Sequence, residues 1–181
     1  MARFAFVALF GSLLAGFATA APVPIKMELL ARANATTTFT EQAYADFQIS
    51  DGVGGTAVDE ANAVFVDPFD GVDLSTISSD TLDAINTMRE AAESAETDDF
   101  DPQIDAATGA VADALSVGKT KNKVLKLTGE IQAIQIKIAQ AQASGDDTSD
   151  LEDSLNEEQT KLNTNVAADK ANAGETSQGV A

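Results

Sequence analysis

Three groups of residues in this chain have types and spacings that bear on chemistry. In "QISDGVGGTAVDEAN" (Gln48–Asn62), Gly52, Gly54 and Ala57 follow the spacing G-x-G-x-x-G/A that cradles a dinucleotide pyrophosphate. Asp73 lies about twenty residues further on, where such a fold places its ribose-binding acid. In "KTKNKVLK", Lys119, Lys123 and Lys126 fall on one face of a helix and Lys121 points elsewhere. The carboxylates of "DPFDGVD" (Asp67–Asp73) and "DDFD" (Asp98–Asp101) cluster in loops, where oxygen ligands for calcium gather.

Each group has a plainer reading beside the chemical one. The glycine spacing needs a strand before it and a βαβ unit around it, whereas "FTEQAYADFQI" reads as a helix. The expectation is therefore an inter-helix joint, with Gly52 as a left-handed cap and Gly54 and Gly55 giving freedom before Thr56. The acidic loops do not fit the EF-hand pattern, because Phe69 and Gly71 fall where ligands belong if Asp67 is first. The lysine patch has two readings: charge balance against acidic helices, or contact with an anionic glycan or protein partner. No metal or cofactor site is assigned.

Composition narrows the chemistry further. Cysteine and histidine are both absent, so no Cys-His pair, Ser-His-Asp triad or Cys/His zinc site can be built. A Ser-Lys dyad or a carboxylate pair stays open in principle, without a spacing that specifies either. The chain is read as non-enzymatic. Its formal charge of −18 opposes nucleic acid and anionic membranes. That charge is uneven: residues 41–113 hold eighteen carboxylates against Arg89 alone, and residues 118–137 hold five lysines against Glu130.

The elements that must position these groups begin after a leader. "MARFAFVALFGSLLAGFATA" has the basic start, apolar run and small-residue end of a signal peptide, with cleavage expected after Ala20. No later segment has the length and apolarity of a membrane span, so the expectation is a secreted, extracellular protein. Residues 21–37 read as a flexible leader carrying a glycosylation sequon at Asn34. Capping patterns and apolar periodicity then predict helices from Thr38 (Phe39, Ala43, Phe47), from Thr56, and from Ser79 or Asp80 to about Glu96. "TDDFDP" is expected to stop the third. Residues from Pro102 to Ala143 read as one long helix with a bend or a short break at Gly118. Its Val124, Leu127, Ile131, Ile134, Ile138 and Ala141 form a narrow heptad seam. A final helix from Ser149 carries Leu151, Leu155, Leu162 and Val166, and residues 174–181 read as a frayed tail.

The fold expectation is all-α: an up-and-down bundle of about five helices in one domain, residues 38–173, with a long C-terminal αα-hairpin. The mature region has only six aromatics, so aliphatic side chains should build most of the core. "FTEQAYADFQISDGVGGTAVDEANAVF", "MREAAESAE", "FDPQIDAATGAVADALSVGKTKNKVLKL" and "DLEDSLNEEQTKLNTNVA" resemble a family of ascomycete fungal small secreted proteins, over about residues 36–173. The resemblance implies a cysteine-free, all-helical candidate effector, elicitor or cell-wall-associated protein with no catalytic residue to carry over. It points to surface interaction with an unknown protein, cell-wall or glycan partner. The alternative is an extracellular carrier of a small apolar ligand, which a helical bundle can also enclose.

Overall fold

The computed structural model describes residues 37–181; the expected signal peptide, nearly all of the leader and Asn34 lie outside the described residues. The fold is mainly α-helical. Its centre is the longest apolar-patterned stretch of the chain, which forms one helix over Ala110–Ser144. The other elements in chain order are α1 (Tyr44–Phe47), β1 (Gly52–Val53), α2 (Ala57–Phe65) and two 3-10 turns (Asp67–Phe69 and Leu74–Thr76). Then come α3 (Ser79–Ser94), a π-helical turn (Ala95–Phe100), α4 (Asp101–Ala106), the central α5, α6 (Ser149–Ala171) and β2 (Thr176–Ser177).

Helix α5 is buried on several sides and not along one seam. Val124, Leu127, Ile131 and Ile134 are buried as expected, but so are Leu125, Ala133 and Ile136 on the other side. A helix apolar over most of its circumference belongs inside a bundle, and α2, α3 and α6 all pack on it. Gly118 does not bend it. The helix runs through that residue without a break, and the division falls earlier, at Gly109, whose φ of 61° and ψ of −141° suit only glycine. Gly145 ends α5 in the left-handed conformation (φ 80°), and α6 turns back along it to complete the C-terminal hairpin.

Three further expectations are corrected. The first helix is one turn and does not start at Thr38; Ala43 precedes it with extended backbone and no side-chain cap. Phe39 and Phe47 still reach the same place, with ring centroids 6.3 Å and 6.1 Å from that of Phe65. Non-helical chain carries Phe39 there, so its four-residue spacing did not require a helix. At "TDDFDP" the chain does not stop but widens: Asp101 N–H donates to Glu96 O, five residues back. Pro102 has no N–H to give to the turn before it, which favours that wider π geometry over a regular α turn.

The tail is the third correction. Most of the tail read as frayed, residues 174–179, is held in place, since β2 pairs antiparallel with β1, Gly52 opposite Ser177 and Val53 opposite Thr176. Gln178 N–H donates to Ala114 O at 3.0 Å, and Gly179 N–H donates to Asp51 Oδ1 at 2.8 Å. Gly118 makes the crossing feasible: a Cβ there would stand 2.0 Å from the Gln178 carbonyl oxygen. The glycine expected to bend or break a helix instead admits the C-terminal tail across it.

Candidate functional site

Two clusters gather the residues whose chemistry was at issue. The first surrounds the glycine joint. Gly55 N–H donates to Asp169 Oδ1 at 2.9 Å and Ala57 N–H to Asp169 Oδ2 at 3.0 Å. The start of α2 therefore already holds an anion, and that anion is a side chain from the end of α6. A helix N-terminus favours negative charge through its free N–H groups, so the spacing does mark an anion-binding turn whose occupant is internal. Thr56, expected as the cap, instead spends its hydroxyl on Val53 O and Glu60. Gly52 and Gly55 take positive φ (91° and 97°), and a Cβ on Gly54 would meet Asn172 O at 2.5 Å. The joint is a strand edge and a turn under the tail, and Gly52 caps no helix.

Lys121 lies beneath the joint and is fully buried. Its ammonium donates to Asp51 O at 3.0 Å and Val53 O at 3.2 Å, and pairs with Glu60 Oε2 at 2.7 Å. Two carbonyls accept from the ammonium and one carboxylate balances its charge, and among the described residues no serine hydroxyl is hydrogen-bonded to it. A Ser-Lys dyad is not assembled at this lysine. Asn122, also buried, donates Nδ2 to Ala92 O and accepts from the Tyr44 hydroxyl at 2.9 Å. Burial pushes the Tyr44 phenol up to about 12.

The second cluster contains the predicted patch. Lys119, Lys123 and Lys126 do share a face of α5, and all three turn toward Glu96 on the π-helical turn. Lys126 Nζ lies 2.8 Å from Glu96 Oε2; Lys123 and Lys119 lie 3.3 Å and 4.0 Å from Oε1. Lys119 also pairs with Asp101. Burial alone would raise the Glu96 pKa. The Lys126 hydrogen bond and the charges of Lys126 and Lys123 outweigh it, so the carboxyl sits below its usual value.

Beside this group is a cleft of about 200 Å³, lined by Glu96, Lys123, Lys126, Leu127, Lys161 and Asn165. It adjoins a second of about 300 Å³ that includes Arg89, Glu130 and Glu158. Lys161 approaches from α6 and pairs with Glu157 and Glu158 at 2.7 Å and 2.9 Å.

The acidic loops serve turns. Asp73 Oδ1 accepts from Ser75 N–H and its hydroxyl, and Asp101 binds Lys119. Among the described residues, no three His, Cys, Asp or Glu side chains are placed to hold a metal ion. Two further clefts, about 630 Å³ and 480 Å³, have hydroxyl, amide and carboxylate side chains among their small and apolar ones.

Sequence reasoning missed Glu96, Lys121 and Asp169. A signal for Lys121 was present: Val117, Lys121 and Val124 stand in the 4-3 step of the apolar seam, which places the lysine inward. Glu96 had none, because its direction depends on the π turn. Residues 39–181 match the model of the family described as "Domain of unknown function (DUF8454)", and the chain belongs to that family. No curated protein and no solved structure matches it.

Proposed function

We propose that this member of the DUF8454 family is a secreted, non-enzymatic fungal protein that acts by surface interaction, at the cell wall or in contact with a host. The observation that carries the reading is the lysine cleft: a concave group of cations at the surface of a molecule of net charge −18. Lys119, Lys123 and Lys126 are only about 20–35% exposed. Cations partly stripped of water contribute more to a contact than fully hydrated ones. Among the described residues, the fully buried charged side chains are engaged in the fold, Lys121 with two carbonyls and the Glu60 carboxylate and Asp169 with two N–H donors. Secretion rests on the pattern of the first twenty residues, and the fungal setting on the resemblance described above.

The test is retention of the mature protein, from Ala21 onward, on isolated cell-wall fractions, followed by infiltration into plant tissue beside a heat-killed control. The reading predicts saturable retention or a defence response. Neither retention nor response, from folded protein, contradicts it.

A further inference from the structure

The cleft between the π-helical turn, α5 and α6 holds more donors than its own carboxylate can use. Lys123 and Lys126 each make one contact, to the two oxygens of Glu96, among the described residues. An ammonium carries three N–H donors, so two on each lysine remain. Lys161 borders the same space, although Glu157 and Glu158 partly neutralise it. Asn165 adds an amide whose Nδ2 donates to Lys161 O, which leaves its second N–H. Leu127 is buried at the floor and limits water on that side. Of the ionised groups lining the cleft, three are cationic and one is anionic.

A second, independent feature marks the same place. Glu96 is carried by the π-helical turn Ala95–Phe100. Such turns are rare, cost regular hydrogen bonding and occur often at functional sites. Here the turn sets one carboxylate among three lysines, where it keeps like charges gathered that would otherwise spread apart.

We infer that this cleft is an oxyanion site, taking a sulfate or carboxylate group carried by an acidic glycan. Glu96 is the internal stand-in that holds the lysines in array, and Lys123, Lys126 and Asn165 supply the donors. Charge-assisted hydrogen bonds from several converging donors suit such a group. The inference rests on the reading of the protein as one that works by surface contact, and names the chemistry of the partner.

The experiment is a titration followed by amide and side-chain NMR, with inorganic sulfate in one arm and a uronate or sulfated oligosaccharide in the other. The expected result is saturable perturbation at Lys123, Lys126 and Asn165 in both arms, with the oligosaccharide at least tenfold tighter. Lys123→Gln with Lys126→Gln should weaken binding at least tenfold, and Lys137→Gln should not. Glu96→Gln, which removes the internal competitor, should bind sulfate more tightly.

Absence of saturable binding in both arms overturns the site, as does binding indifferent to the lysine substitutions. Sulfate binding without a gain for the oligosaccharide overturns the glycan. A folded Glu96→Gln protein that binds no more tightly overturns the role of Glu96. Wall retention that persists while both probes fail overturns the oxyanion site alone and leaves the surface reading standing.

Discussion

Lys121 and Tyr44 show how single side chains decide whether the joint is a reactive site or a fastening. Replacing Lys121 by Met keeps the apolar stem but leaves Glu60 and two backbone carbonyls without their donor. Removing one partner of a buried pair costs about 3–5 kcal/mol; Glu60 is 39% exposed and can rehydrate, so we expect about 3 kcal/mol. Chemical denaturation of Lys121→Met measures this, and a loss under 1 kcal/mol contradicts the role. Tyr44 offers a cleaner probe, because it is the only tyrosine in the chain. Its phenol is raised from 10.0 to about 12 by burial, so the unfolded chain loses this proton first as pH rises. The stability it contributes is present below pH 10 and is lost between about 10 and 12. Absorbance titration should give a midpoint near 12 for native protein and near 10 in denaturant. A native midpoint near 10 refutes the burial.

Elements with their own local code were legible in the sequence, and those set by remote partners were not. Helix α2, read as opening after Thr56, runs from Ala57 to Phe65. The final helix runs from Ser149 to Ala171, against an expected start at Ser149. The third helix was placed one or two residues past its cap, since Ser78, and not Ser79 or Asp80, accepts from Thr81 N–H. The one-turn α1 looked longer because Phe39 and Phe47 serve one aromatic cluster from different backbone conformations. The π turn was hidden because its cause is a missing donor at Pro102, which also reads as a helix start. The tail was hidden because its partners, Gly52–Val53, Ala114 and Gly118, lie about 60–120 residues away in sequence. Gly118→Ala tests that crossing. We expect the tail to leave α5, with faster hydrogen exchange at Ser177, Gln178 and Gly179 and faster carboxypeptidase trimming, while α5 stays helical. Unchanged protection of those three amides contradicts the crossing.

Over the whole molecule, the charge asymmetry visible in the sequence becomes the way the halves attach. The acidic stretch supplies Glu60, Glu96 and Asp101 to lysines of α5, and Arg89 reaches the one carboxylate of the basic stretch, Glu130, at 2.8 Å. Lys119, Lys123 and Lys126 face Glu96 together, so the charge balance of the lysine patch is internal in part. Among the described residues, Arg89, Lys119, Lys121, Lys123, Lys126 and Lys161 are in ion pairs. What distinguishes the cleft is that its cations outnumber the carboxylates it encloses. The reading that this cleft is where the protein meets its partner is tested most directly by retention on cell-wall fractions, comparing the wild type with a Lys119→Gln, Lys123→Gln, Lys126→Gln triple variant shown by circular dichroism to be folded. We predict that retention falls at least tenfold in the triple variant and is unchanged in Lys137→Gln. Equal retention of wild type and triple variant would contradict it.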